Sequence, residues 1–157
     1  MNLPPNLKLH LSLWLGILSI LFATNCSKNK NNQEEPELDY RTRIRLKQYN
    51  IQGRNLYQSY CSNCHQPDGS GLGQLYPPLK NSDYMIDSLA RTVCLIKYGQ
   101  KGSIIVNGTE YNQEMPANPD LSNLEIAEIV TFIYNEFGGQ RELIDVKEVE
   151  KLIGKCK

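Results

Sequence analysis

The sequence predicts an all-α domain, and three observations carry that expectation. Apolar residues recur at three- and four-residue spacing in several stretches bounded by helix start and stop residues. Only one short segment, around Asn107-Gly108, reads as β structure. The cluster Cys61-Ser62-Asn63-Cys64-His65 closes the first helical stretch, a placement that suits side chains gathered near a helix end.

The first helix is expected from about Arg45 to Tyr60, with Gly53, Leu56, Tyr57 and Tyr60 along one side. The second is expected from about Asp83 to Tyr98. Ile86, Leu89, Ala90, Val93 and Ile96 keep the 3.6-residue period, and Gly99 suits a carboxyl-terminal cap. The third opens on a capping box, Ser122-x-x-Glu125. Ile126, Ile129, Val130, Ile133 and Phe137 form its stripe, and Gly138-Gly139 end it. Between the second and third, Ser103 to Tyr111 carries Asn107-Gly108 between β-branched residues, the mark of a two-residue hairpin turn. A fourth short helix is expected in the tail, where Leu143, Val146, Val149, Leu152 and Ile153 recur at helical spacing.

The 157 residues divide into three parts. Residues 1–25 read as a lipoprotein-type signal peptide. Leu9 to Ala23 is apolar and free of charge, too short for a permanent membrane span. It runs into Phe22-Ala23-Thr24-Asn25-Cys26, which resembles a bacterial lipobox with Cys26 as the lipidated residue; Ala23 and Asn25 depart from the usual pattern. Residues 26–40 form a polar tether, since Ser27 to Glu37 offers no large apolar side chain to a core. Residues 41–157 make the domain, with a core at about 48–138 and an extension at 139–157. The protein is therefore expected to be exported and held at a membrane, on the periplasmic or outer side.

Charge excludes one class. Lys plus Arg is 17 and Asp plus Glu is 17, so a nucleic-acid binder built on phosphate contacts is not expected. The charges are unevenly placed. From Arg41 to Arg54 there are five bases and no acid, and from Ser103 to Gln140 six acids and no base. Such asymmetry can steer a partner, here one with a basic surface near Met115, although a solvated helix face explains it equally well.

Cys61-x-x-Cys64-His65 is the pattern that attaches a c-type haem. Two thiols three positions apart can each bond one vinyl group, and the adjacent imidazole can bind the iron. A zinc site would need ligands at odd spacings, and a redox dithiol expects a strand-helix context that this region lacks. For the opposite side of the iron the domain offers Met85, on an apolar helix face, and Met115, in the loop Glu114-Met115-Pro116-Ala117. Packing in the core suits Met85 better.

These residues resemble the small monohaem class I cytochromes c over about Gln48 to Gly138. Gly53, Tyr57 and Cys61 repeat the family spacing on the first helix, and Ile129 and Phe132 fit its partners on the last. Pro77, followed by Leu79, sits where the family proline offers its carbonyl to the ligand histidine, and Met115-Pro116 matches the sixth-ligand motif. The resemblance implies three main helices around one covalently bound haem c, with His65 and Met115 as iron ligands. It implies an electron carrier rather than an enzyme, working between redox partners that the sequence does not identify. Two rivals stand beside it. One is a fixed haem subunit of a membrane dehydrogenase or oxidase. The other is a sensor or peroxidase-like protein, should Met115 not bind iron. Tyr111 is a candidate partner for a haem propionate. Cys94 and Cys156 remain, and in an oxidising compartment two leftover thiols favour a disulfide over two buried free thiols.

Overall fold

A computed structural model of the chain describes residues 38–140 and 142–156. The expected signal peptide, the Cys26 lipidation site and most of the tether lie outside the described residues. Among the described residues there are six helices and one two-stranded sheet, and no helix is long and apolar enough to cross a membrane.

Helix α1 (Tyr40–Tyr60) starts five residues earlier than apolar periodicity suggested. The reason is local: Asp39 caps it, its carboxylate accepting from the Arg41 and Thr42 amides. The first turn is exposed, so no apolar stripe announces it. The buried side carries Tyr49, Gly53 and Tyr57. A Cβ on Gly53 would stand 2.0 Å from the Glu128 carbonyl oxygen and 2.7 Å from Cβ of Phe132. Glycine is what allows α1 to cross the last core helix at backbone contact. A short helix α2 (Ser62–His65) follows at once.

The stretch from Asp83 to Tyr98 is not one helix. It is α3 (Asp83–Ile86) and α4 (Leu89–Tyr98), separated by an extended Ser88 whose hydroxyl accepts from the Arg91 amide. Ser82 caps α3 in the same way. Serine competes well for the N-cap position, and apolar periodicity carries no trace of that competition. Gly99 ends α4 at φ +80°.

Strands β1 (Ile104–Val106) and β2 (Thr109–Tyr111) pair antiparallel, Ile104 opposite Tyr111. Asn107 and Gly108 both take positive φ, as a two-residue hairpin of the expected type demands. The turn is tied to α3: the Asp83 amide donates to Asn107 Oδ1 (3.0 Å), and the Asn107 amide donates to Asp83 Oδ1 (2.8 Å).

Helix α5 (Asn123–Glu136) has the capping box, with the Glu125 carboxylate accepting from the Ser122 amide (2.8 Å). Ile126, Ala127, Ile129, Val130, Phe132 and Ile133 are buried and form the centre of the core. The tail folds back as α6 (Val146–Ile153), placing Ile144 and Val149 in the same core. It is strapped three ways. Cys94 and Cys156 form a disulfide across 62 positions of sequence. The Ile144 amide donates to Thr131 Oγ1 (3.1 Å), and Arg45 forms an ion pair with Asp145.

Candidate cofactor site

Cys61 ends α1, its amide donating to the Tyr57 carbonyl (2.9 Å). The chain turns immediately, and the Cys64 and His65 amides both donate to the Cys61 carbonyl (3.2 and 3.0 Å). This tight turn brings the two thiols and the imidazole to one wall. Neither thiol is in a disulfide, and both are half-buried.

The segment after His65 folds under the ring. The Gly71 amide donates to the His65 carbonyl (2.9 Å), and the Leu79 and Lys80 amides donate to the Gly69 carbonyl (2.8 and 3.0 Å). Gly71 has φ +72°, and a Cβ there would lie 2.4 Å from the Tyr76 carbonyl oxygen and 2.7 Å from the Pro77 carbonyl carbon. Only glycine admits this approach. Tyr57 fixes the same segment from the other side. Its ring packs at 5.5 Å from Phe132 and 5.3 Å from Phe137, and its hydroxyl donates to the Gln66 carbonyl (2.6 Å).

These constraints leave the Pro77 carbonyl oxygen 2.9 Å from His65 Nδ1. A carbonyl has no proton to give, so Nδ1 carries the hydrogen and Nε2 keeps its lone pair. Burial lowers the His65 pKa, and the Pro77 hydrogen bond partly opposes that. The ring is thus held neutral, the form that binds a metal.

Met115 is placed by the end of α4. Gln100 and Met115 exchange both backbone hydrogen bonds (2.9 and 3.0 Å). A Cβ on Gly99 would stand 2.6 Å from the Met115 carbonyl oxygen, so the loop rests directly on that glycine. Lys97 then holds the chain beyond it, donating to the Pro119 and Leu121 carbonyls (2.7 and 2.8 Å).

Cys61, Cys64, His65, Pro77 and Met115 all line one cleft, walled mainly by apolar side chains, as ligand and cofactor sites generally are. Met85 and Tyr111 line it too, both buried. The Met85 carbonyl accepts from the Tyr134 hydroxyl (2.6 Å), anchoring it in the core. Sequence reasoning missed Tyr76, Tyr84, Gln100, Ile104, Val106 and Gln113 in the wall. Ile104 and Val106 were within reach of it, since alternate positions of a strand share a face.

The donor set suits a covalently held haem: two unpaired thiols, a neutral imidazole with its outer nitrogen free, and a thioether share an apolar chamber. It does not suit the rival chemistries. Cys94 and Cys156 are bonded to each other, and no group of three or more His, Cys, Asp or Glu among the described residues could hold a metal ion. A redox dithiol needs a lowered thiol pKa, whereas burial, reinforced by Cys64, pushes Cys61 up to about 12.

Comparison with known proteins points the same way. Residues 50–133 match the family described as cytochrome c oxidase, cbb3-type, subunit III. Cytochrome c-552 of Thermus thermophilus is 30% identical over 114 residues, covering 66% of this chain and 85% of that protein. A second cytochrome c-552, from a named strain of the same organism, is likewise 30% identical, with 75% of its length covered.

Proposed function

Because the chain belongs to the c-type cytochrome family described by cbb3-type oxidase subunit III, and so carries covalently bound haem c in an electron-transfer protein, we propose that it is a membrane-tethered monohaem carrier of single electrons with His65 and Met115 as iron ligands. One observation carries the ligand assignment: His65, with Nε2 left free by Pro77, and Met115, pinned to Gln100, face the same cleft as Cys61 and Cys64.

Bound there, the haem iron supplies a one-electron couple. The chain's own residues set its conditions. Cys61 and Cys64 would hold the porphyrin by thioether bonds. Pro77 holds the His65 ring in one tautomer and orientation. A Met115 thioether raises the reduction potential, and the apolar wall limits water. With His65 and Met115 both bound to the iron, no position would be left for a substrate, which favours a carrier over an enzyme. Cys26 is the proposed lipid attachment point. The acidic run from residue 103 to 140 favours donor and acceptor proteins with basic surfaces.

Visible spectroscopy of protein matured in a host that attaches haem tests this reading. The expected result is a low-spin spectrum with the weak far-red sulfur-to-iron band in the oxidised form. A high-spin spectrum with ready carbon monoxide binding overturns Met115 as ligand. The family description favours a second reading, a haem subunit held permanently by a membrane oxidase. Co-purification with an oxidase after mild detergent extraction supports that reading, and recovery as a lone protein supports the shuttle.

A further inference from the structure

Helix α1 contains no acidic residue from Tyr40 to Tyr60, yet it carries Arg41, Arg43, Arg45, Lys47 and Arg54. One of its faces packs on the core through Tyr49, Gly53 and Tyr57. On the other, Tyr40, Ile44, Lys47 and Ile51 fall within an arc of about 60° at 3.6 residues per turn. Tyr40 is 70% exposed, Ile44 40% and Ile51 52%. Isolated exposed apolar residues are ordinary, but three on one stripe of a helix are not scatter.

Arg45 pairs with Asp145 and Arg54 with Glu136 (3.7 Å), and Arg43 is likewise engaged. Arg41 and Lys47 make no ion pair among the described residues, and Lys47 sits within the apolar stripe.

We propose that this face of α1 lies on an anionic lipid surface, with Tyr40, Ile44 and Ile51 entering the interface and Arg41 and Lys47 meeting headgroup phosphates. Charge complementarity selects that occupant, because the helix presents bases and no acid from Tyr40 to Tyr60, and the Asp39 carboxylate at its start is engaged by the Arg41 and Thr42 amides. Position supports it. Thirteen residues separate Cys26 from Tyr40, a reach of at most about 45 Å. A lipid at Cys26 therefore keeps α1 near the bilayer and raises its effective concentration there. This proximity argument rests on the tethered reading; the face binds without it. Tyr57, which lines the cleft, is on the buried side of the helix, so this contact leaves the cleft uncovered.

The test uses the haem-loaded mature chain carrying Cys26→Ser, so that no lipid contributes. Co-sedimentation is measured with vesicles of phosphatidylglycerol in phosphatidylcholine and with phosphatidylcholine alone. Anionic vesicles are expected to bind at least tenfold more tightly, and raised salt is expected to release the protein. Removing a base lowers binding about 5-fold, so Arg41→Gln with Lys47→Gln costs about 25-fold. Ile44→Gln with Ile51→Gln costs about tenfold. Equal binding to both vesicle types overturns the proposal. So does unchanged anionic binding in both double variants. Loss of affinity for a protein redox partner, with vesicle binding intact, identifies the face as a protein interface and also overturns it. An unchanged visible spectrum confirms that the variants are folded, and the salt series on the unsubstituted face decides alone if they are not. Absence of acyl mass on the natural chain counts against the tether and leaves this test standing.

Discussion

At the scale of single residues, two methionines share the cleft in different surroundings. Met115 sits in a loop pinned to Gln100, whereas Met85 is 3% exposed and anchored through the Tyr134 hydroxyl. Met115→Ala is therefore expected to abolish the far-red band and admit carbon monoxide with little loss of stability. Met85→Ala is expected to keep the band while lowering unfolding free energy by about 2–5 kcal/mol, read by denaturant titration. The opposite pattern reassigns the ligand. Gly99 gives a second residue-scale outcome. Its φ of +80° and the 2.6 Å approach to the Met115 carbonyl leave no room for a methyl group. Gly99→Ala is expected to weaken the Met115 band without touching the loop's own sequence. Most of the candidate ligands could be read in advance, because Cys-x-x-Cys-His ties chemistry to fixed spacing. The tautomer of His65 was legible only through the family resemblance, which set the Pro77 carbonyl against the ring; spacing alone does not show it, because that carbonyl lies twelve residues away and is delivered by Gly69 and Gly71.

Among elements, the tail shows how a helix is recruited into a core built without it. Leu143, Val146, Val149, Leu152 and Ile153 announced α6 by period, but Thr131, which receives the Ile144 amide, gave no sign. Cys156→Ser opens a cross-link spanning 62 positions, worth about 4 kcal/mol in the chain-entropy picture. The expected result is a large drop in the denaturant midpoint with the visible spectrum retained. Asp145 adds a pH dependence. It accepts from the Lys147 amide and pairs with Arg45, which together lower its pKa from 3.8. A lowered carboxylate pKa stabilises the fold above the unfolded value and loses that contribution as pH falls through the folded one. Acid is therefore expected to loosen α6 first, seen as faster amide exchange in the tail, and Asp145→Asn is expected to flatten that response. The break between α3 and α4 escaped the sequence for a related reason: Ser88 acts through one hydrogen bond, and apolar period records only burial.

The whole molecule joins these parts into one chamber. Gly53 lets α1 cross α5, which brings Cys61 to the wall, and α4 carries Met115 to the same cleft through Gly99 and Gln100. Gly53→Ala is expected to cost about 1–3 kcal/mol through overpacking and to lower the temperature at which the far-red band is lost, the haem staying attached. Surface charge is less decisive than its count suggested. Of the six acids between residues 103 and 140, Glu114 pairs with Lys101, Glu125 closes the capping box and Glu136 pairs with Arg54. Glu110, Asp120 and Glu128 remain for steering, so electron-transfer rates with a basic partner are expected to fall only moderately with ionic strength. The central claim concerns covalent attachment at one turn of chain. Peptide mapping of the denatured, alkylated protein tests it most directly. The peptide spanning residues 61–65 is expected to carry one haem, with neither Cys61 nor Cys64 alkylated. Recovery of that peptide with both thiols alkylated and no haem would contradict the claim.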